Sequence, residues 1–292
     1  MSAEFQFIPV GAPDDPRIEP FTQVRERDLV GRRGLFVAEG EVVLRRLVRS
    51  PAHRPVAFLC AQGRAERMEA ILEQGMAQLG GSSPPGHTAD SSPEPLPVYV
   101  APQSVMDEIV GFPIHRGLLG LGRRVDRPVR PLLAGLPERA LVVALHGISN
   151  HDNMGGIFRN AAAFGVDAVV LDATCCDPLY RKALRVSVGA ALETPFARLA
   201  PGDDLVSVLI EAGLTPTALS PSGASVLAGW TPPSRAAVLL GAEGPGLPAE
   251  VLRRCQALGE TLAIPMAAGF DSLNVATTSG IVLHHMAAAR NA

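Results

Sequence analysis

The sequence is poor in aromatic residues, in cysteine and in long apolar runs, and each shortage excludes a class of protein. Phe, Trp and Tyr make up 4% of the 292 residues, and there are four cysteines. The cysteines lack the paired spacing of a zinc site, so we expect reduced thiols and no bound metal. No apolar run reaches the roughly 20 residues of a membrane span, and the N-terminus has no signal-peptide pattern. We therefore predict a cytoplasmic protein without a membrane partner.

Lysine is also scarce, because Lys182 is the only one, and the net charge of −3 gives no hint of nucleic acid. The preference for arginine is typical of a GC-rich genome. Arginine nevertheless suits phosphate contacts, since its guanidinium offers several donors in a fixed fork. Three local groups are candidates for such contacts, and the sequence does not choose among them: Arg25, Arg27, Arg32 and Arg33; Arg45, Arg46 and Arg49; Arg123, Arg124, Arg127 and Arg130.

Apolar runs alternate with amphipathic stretches along most of the chain, which predicts an α/β fold with two domains. Residues 1–125 predict a small α/β sandwich, with an irregular arm over 1–20 and a flexible Gly-, Ser- and Pro-rich insertion over 80–97. Residues 126–139 are interpreted as a proline-containing linker. Residues 140–292 predict a second domain with buried, mostly parallel strands.

In this second domain the pattern predicts helices whose ends carry capping residues. Gly165 is expected to end the first helix, and Asp203 to cap the next. The predicted strands are 141–145, 168–171, 195–199, 215–219, 236–240 and 262–265. The predicted helices are 155–164, 203–212, 248–255 and 273–289.

Three polar, glycine-containing segments lie at the ends of predicted strands in this domain. They are residues 153–159 (NMGGIFR), 239–247 (LLGAEGPGL) and 264–275 (IPMAAGFDSLNV). In an open α/β sheet, ligands bind at the carboxyl ends of the strands. The three segments therefore predict one composite site.

In order and content, these segments resemble the three motifs of the SpoU/TrmH group of RNA ribose methyltransferases, in the SPOUT superfamily. The resemblance is strong over residues 140–292 and weaker over 20–125, which is similar to the ribosomal-protein-like, substrate-binding domain of that family. It implies a C-terminal SPOUT domain with a deep trefoil knot, S-adenosylmethionine as cofactor, RNA as substrate and a homodimer formed through the C-terminal domain.

The resemblance assigns the main catalytic role to Arg159. A guanidinium stays protonated in proteins, so Arg159 is a poor general base. We favour a role in which it grips a phosphate next to the target ribose and stabilises the developing 2′-oxyanion. Action as the base itself is the less favoured alternative, and an arginine paired with a neighbouring carboxylate is the purely structural one.

Four further residues complete the implied catalytic set: Asn153, Glu243, Ser272 and Asn274. Glu243 is expected to form a hydrogen bond to Asn153 or Arg159. Ser272 and Asn274 are expected to contact the reacting ribose or Arg159. The structural alternative for Ser272 is an N-cap of the last helix.

The cofactor-binding residues implied by the resemblance are Gly241, Ile264, Met266 and Leu273. Gly241 would contribute backbone contacts, and the other three would form apolar walls. The chain departs from the family pattern at two places, with Asn150, His151 and Asp152 before Asn153, and with Ala276 where the family often has serine.

The function predicted by this resemblance is methyl transfer from S-adenosylmethionine to a ribose 2′-hydroxyl of ribosomal or transfer RNA. A knotted RNA-binding protein without catalysis and a base-methylating SPOUT relative are the alternatives. An antibiotic-resistance version of the same chemistry also remains open. A nicotinamide-dependent oxidoreductase is disfavoured, because no G-x-G-x-x-G follows the first strand of the second domain.

Overall fold

The structure, a computed structural model, describes residues 5–22, 26–78, 95–110, 117–269 and 272–291. It contains two compact units. The N-terminal unit comprises Met1–Val125 together with Leu179–Glu193, and the C-terminal unit comprises Asp126–Pro178 together with Thr194–Ala292. Three earlier predictions lie outside the described residues: residues 1–4 of the arm, residues 80–94 of the insertion, and Arg25.

The N-terminal unit is built on a mixed five-stranded sheet. Its elements between residues 5 and 123 are β1 (Phe5–Pro9), α1 (Glu26–Arg33), β2 (Leu35–Glu39), α2 (Glu41–Arg49), β3 (Arg54–Ala61), α3 (Ala65–Gln78), β4 (Leu96–Ala101), α4 (Gln103–Val110) and β5 (Leu118–Arg123). The strand order is β1-β4-β3-β5-β2. β4 is parallel to β1 and β3, whereas β5 is antiparallel to both β3 and β2.

The predicted irregular arm is wrong for Phe5–Pro9. This segment is an edge strand that pairs with β4 from Phe5 to Pro9. Proline is tolerated at the end of an edge strand, where its missing N–H breaks no ladder. The predicted insertion also ends too late, because Leu96 and Pro97 already belong to β4.

The C-terminal half of the sequence supplies the remaining elements. They are α5 (Val129–Ala134), β6 (Ala140–His146), α6 (His151–Ala163), β7 (Ala168–Leu171), α7 (Arg181–Val186), β8 (Phe196–Arg198), α8 (Leu205–Glu211), β9 (Thr215–Leu219), β10 (Ser225–Val226), β11 (Arg235–Gly241), α9 (Ala249–Leu258), β12 (Glu260–Ala263) and α10 (Val275–Asn291). Among the described residues, no helix is both long and apolar enough to cross a membrane.

The seven-stranded sheet of the C-terminal unit is parallel at every strand pair, with the order β10-β12-β9-β11-β6-β7-β8. The predicted α/β class and mostly parallel sheet are confirmed. Both faces are covered, so β6 and β11 are buried along nearly their whole lengths. Parallel pairing also brings the carboxyl ends of β6, β9, β11 and β12 to one edge.

Two helix boundaries differ from the prediction because of capping. α6 begins at His151, four residues early, since the Asn150 side chain accepts hydrogen bonds from two backbone N–H groups of the first turn. α8 is capped by Asp204, whose carboxylate accepts from the Ser207 N–H, and not by Asp203. Gly165 follows α6 with a left-handed φ of 67°, as expected for a helix end.

The predicted linker contains α5, and Leu133 of this helix is only 1% exposed within the core of the C-terminal unit. Residues 179–193 fall within the predicted second domain but pack in the N-terminal unit. There α7 lies against β2, and the Ser50 hydroxyl donates to the Leu192 carbonyl at 2.7 Å. Arg46 forms an ion pair with Glu193. This segment is therefore an integral part of the N-terminal unit.

Candidate functional site

A cavity of about 670 Å³ opens at the carboxyl ends of β9, β11 and β12. Its volume lies in the range of small-molecule and cofactor sites. All four predicted cofactor-binding residues line it, as do three of the predicted catalytic residues: Gly241, Ile264, Met266, Leu273, Glu243, Ser272 and Asn274. The structure thus brings the second and third motifs together.

The loop after β11 has a shape that only glycine permits. A Cβ atom on Gly241 would overlap the backbone of Gly246 and Leu247. Gly244 and Gly246 have left-handed φ angles of 87° and 69°. The Gly246 N–H donates to the Ala242 carbonyl at 3.0 Å and closes the loop. The glycines therefore set the path of the loop, which lines the cavity from Gly241 to Leu247.

The segment after β12 supplies an apolar wall. Ile264 and Met266 line the cavity together with Leu273, which is 43% exposed although it is a large apolar residue. A partly exposed leucine at the mouth of a cavity can be covered by a ligand, and covering it would be favourable by the hydrophobic effect. This wall suits the apolar part of a ligand.

Asn274 joins the three motifs by hydrogen bonds. Its side-chain amide donates to Asn153 Oδ1 at 2.8 Å and to Glu243 Oε1 at 2.7 Å. Its Oδ1 accepts from the backbone N–H groups of Ala276 and Thr277, at 3.0 and 3.2 Å. All the hydrogen-bonding capacity of this amide is used, which fixes both its orientation and its position.

This network corrects two predictions. Asn274, not Ser272, is the residue whose side chain caps α10. Glu243 accepts from Asn274, so its connection to Asn153 runs through Asn274. Within the described part of the chain, no hydrogen bond joins Glu243 to Arg159.

Asn153 and Arg159 lie on different sides of α6. Asn153 is only 5% exposed and sits in the first turn, not in the turn before the helix as predicted. Six residues of helix separate the two by about 9 Å along the axis and about 120° around it. Arg159 is exposed, does not line the cavity, and has no hydrogen-bond or ion-pair partner among the described residues. The structural alternative of a carboxylate-paired arginine therefore has no support in the described residues.

Gly156 allows α6 and α10 to approach closely. A Cβ atom at this position would lie 2.7 Å from the Cβ of Ala276. The Asn160 amide donates to the Ala276 carbonyl at 2.7 Å and to the Ser279 hydroxyl at 2.9 Å. Glycine is thus needed at 156, opposite Ala276, where the chain departs from the family pattern.

Sequence reasoning missed a polar pair at the adjacent strand ends of β6 and β7. His146 Nε2 lies 3.5 Å from the carboxylate of Asp172. Burial alone would raise the pKa of this carboxyl group. Hydrogen bonds from Thr174, Cys175 and the N–H of Gly147 outweigh burial, and the pKa of Asp172 lies below its ordinary value. The sequence does contain a sign of this pair, because both residues directly follow apolar runs that form buried strands.

Comparisons with known proteins agree with this geometry. The sequence matches the SpoU rRNA Methylase family over residues 140–284. It is 37% identical over 281 residues to a protein of Mycobacterium bovis named uncharacterized tRNA/rRNA methyltransferase, covering 93% of this chain and 88% of that relative. It is 29% identical to the 23S rRNA (guanosine-2′-O-)-methyltransferase RlmB of Salmonella typhi, covering 64% of this chain and 76% of that enzyme.

Solved structures share the fold. An AdoMet-bound rRNA methyltransferase from Sinorhizobium meliloti superimposes with a TM-score of 0.74 at 22% identity, covering 96% of this chain and 97% of that one. The SpoU methyltransferase AviRb from Streptomyces viridochromogenes, in complex with AdoMet, has a TM-score of 0.73 at 18% identity and covers 95% and 99%. Taken with the site and the sequence match, these findings show that the chain belongs to the SpoU rRNA methylase family.

Proposed function

We propose that this RNA methyltransferase transfers a methyl group from S-adenosylmethionine to a ribose 2′-hydroxyl of ribosomal or transfer RNA. The observation that carries the proposal is the Asn274 network, which joins one polar residue from each motif beside the cavity. The 2′-O specificity is supported by the 29% identical relative, which is named for that reaction.

S-adenosylmethionine is the cofactor, and it supplies a methyl carbon on a sulfonium sulfur. The residues that line the cavity have the chemistry needed to bind S-adenosylmethionine. The backbone of the loop at Gly241 offers hydrogen-bonding groups at a position where a side chain cannot fit. Ile264, Met266 and Leu273 offer apolar contact in the same cavity. We assign these four residues to cofactor binding.

Arg159 is proposed to act on the RNA. Methyl transfer would require that the 2′-hydroxyl proton pass to water and that the oxygen bond to the methyl carbon. The carbon–sulfur bond would break with its electron pair left on the sulfur, which becomes a neutral thioether. Negative charge develops on that oxygen before the new bond is complete. An unpaired guanidinium can bind the adjacent phosphate and stabilise this charge, and such stabilisation contributes about 3–4 kcal/mol in other enzymes.

Asn153, Glu243 and Asn274 are proposed to hold the site in shape for the substrate. Asn274 is fixed by the backbone of α10, and it fixes the other two side chains in turn. Ser272 lines the cavity at the entry to α10, where its hydroxyl can contact the reacting ribose. Prearranged polar groups of this kind need not reorganise during the reaction.

We also propose the remaining family features for this chain. The N-terminal unit would select the RNA, the C-terminal segment would form a deep trefoil knot, and two copies would associate through the C-terminal domain in the cytoplasm. Support for the dimer comes from α10, where the apolar residue Ile281 is 39% exposed. Sedimentation of the purified protein tests this: a monomer at micromolar concentration would contradict the dimer.

The test of the reaction is a methyl-transfer assay on RNA from cells that lack this protein. Purified protein and isotope-labelled S-adenosylmethionine are added, the RNA is digested, and the labelled nucleoside is identified by mass spectrometry. We expect a single 2′-O-methylated nucleoside. Label on a base would favour the base-methylating alternative, and the absence of label despite RNA binding would favour a protein without catalysis.

A further inference from the structure

Two arginines lie directly opposite each other on adjacent strands of the N-terminal sheet. β3 begins at Arg54 and β5 ends at Arg123, and these residues are register partners in the antiparallel pair. Arg123 is also the partner of Leu35 in β2. Partners in adjacent strands share one face of a sheet, with Cβ atoms about 5 Å apart. Leu35 packs against the apolar core on this face. The two arginines therefore lie beside the rim of that core.

Placing like charges directly opposite each other is unfavourable. Both side chains are exposed, and neither has a hydrogen bond or an ion pair among the described residues. Arg64 also has no hydrogen bond or ion pair among the described residues. It follows the C-terminal end of β3, far from Arg54, and is not a register partner of another strand. The repulsion between Arg54 and Arg123 is therefore not relieved by any described side chain.

Most of the arginine candidates predicted from the sequence in this unit are already neutralised. Arg33 pairs with Glu19 through two bonds of 2.5 and 2.8 Å. Arg45 pairs with Glu41, and Arg46 pairs with Glu193. A guanidinium paired with a carboxylate has part of its charge and some of its donors already engaged, so it binds a phosphate less strongly. Within the described residues, the opposed pair has no such carboxylate.

We propose that Arg54 and Arg123 form a binding site for the phosphate backbone of the RNA substrate. Two guanidinium groups on one face can donate several hydrogen bonds to one phosphate or to two successive ones, and the negative charge offsets their mutual repulsion. The inference rests on the proposed function, because it takes RNA as the ligand. It adds which residues of the N-terminal unit contact that RNA.

The test uses the full chain and substitutions that keep most of the side chain but remove its charge. Arg54→Gln, Arg123→Gln and the double variant are compared with Arg67→Gln. Arg67 is an exposed arginine of α3 in the same unit, and its guanidinium is paired with Glu41 at 2.6 and 2.9 Å. All three single variants change the net charge equally. Affinity for a fluorescein-labelled RNA hairpin is measured over a range of salt concentrations.

We expect each site variant to bind the hairpin about tenfold more weakly, because a hydrogen bond to a charged group is lost. The slope of log affinity against log salt should decrease by about 0.9 for each phosphate contact removed. Arg67→Gln should leave affinity within about twofold and the slope unchanged. The melting temperatures of the site variants should not fall, since the substitution relieves repulsion.

Parent-like affinity and salt slope in the double variant would overturn the proposal, as would an equal loss in Arg67→Gln. The proposed function is judged separately by the KM and kcat of methyl transfer. We expect the double variant to raise KM for RNA and leave kcat at saturating RNA unchanged. A parent protein that binds the hairpin but methylates no RNA would contradict the proposed function and leave the arginine site to be judged by binding alone.

Discussion

The two sheets of this protein arrange their strand ends differently. In the C-terminal unit every strand pair is parallel, so the loops after β9, β11 and β12 meet at one edge and enclose a cavity. In the N-terminal unit β5 is antiparallel to both of its neighbours, so the start of β3 lies beside the end of β5. The parallel sheet thus gathers three loops around a cavity, whereas the antiparallel pair sets two exposed arginines side by side.

This difference separates two kinds of binding. A cavity lined by a glycine-containing loop and by apolar side chains can enclose a small cofactor. Two exposed arginines at the rim of the apolar core can contact a long polyanion but cannot enclose a small molecule. We therefore propose that methyl transfer takes place in the C-terminal unit and that the N-terminal unit holds the RNA, and the following experiments test that division.

The largest expected effect comes from separating the units at residue 126. A fragment of residues 126–292 would lose the packing partners of Leu179, Leu184 and Leu192, each no more than 1% exposed in the intact chain. Exposing a leucine costs about 1.5–3 kcal/mol, so residues 179–193 should lose their fold in the fragment. We expect the fragment to melt at a lower temperature than the full chain and to aggregate more readily, because these leucines are exposed. A melting temperature equal to that of the full chain would show that the units are independent.

The next largest effect is expected at Arg159. Arg159→Gln should lower kcat by about 10²–10³, because stabilisation of developing charge is lost. S-adenosylmethionine affinity, measured by calorimetry, should stay within a few-fold, since Arg159 does not line the cavity. The double variant of Arg54 and Arg123 provides the contrast, with KM changed and kcat retained. Normal turnover by Arg159→Gln would remove this residue from the mechanism.

Two substitutions at Asn274 separate helix capping from the site network. Asn274→Ala should destabilise the protein by about 1 kcal/mol through the lost cap and should also reduce activity. Asn274→Asp keeps a good cap but cannot donate to Asn153 and places a second carboxylate beside Glu243. We expect the aspartate variant to be as inactive as the alanine variant although it keeps the helix cap. Activity that follows thermal stability in both variants would reduce Asn274 to a cap.

The last expected effect, on stability alone, concerns the buried carboxylate of Asp172. The pKa of Asp172 is lowered in the folded protein, so the ionised carboxylate stabilises the fold at pH values above the ordinary carboxyl pKa of about 3.9. This stabilisation is lost as the pH falls through the lower pKa of the folded protein. Asp172→Asn should cost about 1–2 kcal/mol near neutral pH, and the difference from the parent should shrink below about pH 4.

A carboxylate of the N-terminal unit serves as the control for Asp172. Glu19 pairs with Arg33, but both side chains are nearly half exposed. Solvent screens such pairs, so Glu19→Gln should have little effect on stability at any pH. Two results would contradict the comparison of the two units. One is a loss of unfolding free energy in Glu19→Gln as large as that in Asp172→Asn. The other is a loss in Asp172→Asn that grows as the pH falls.

Much of the fold could be predicted because it follows from local patterns. Unbroken apolar runs such as Leu141–Leu145 mark strands buried on both faces, and here the strand is Ala140–His146. The strand β1 was missed because five residues containing a proline give a weak pattern, and its pairing partner lies some 90 positions away at Leu96. Pairing over such a distance leaves no periodicity in the sequence.

The sequence by itself determined the composition of the site. The glycines after β11 and the polar residues of the three motifs are needed where they stand, because loop conformation and hydrogen-bonding chemistry are properties of the residues themselves. The tertiary structure decided which side chains meet. Only the packing of α10 against α6 makes Asn274 both the helix cap and the link between Asn153 and Glu243. Only antiparallel register sets Arg54 opposite Arg123. Contacts between distant residues depend on how whole elements pack, and no local pattern encodes that.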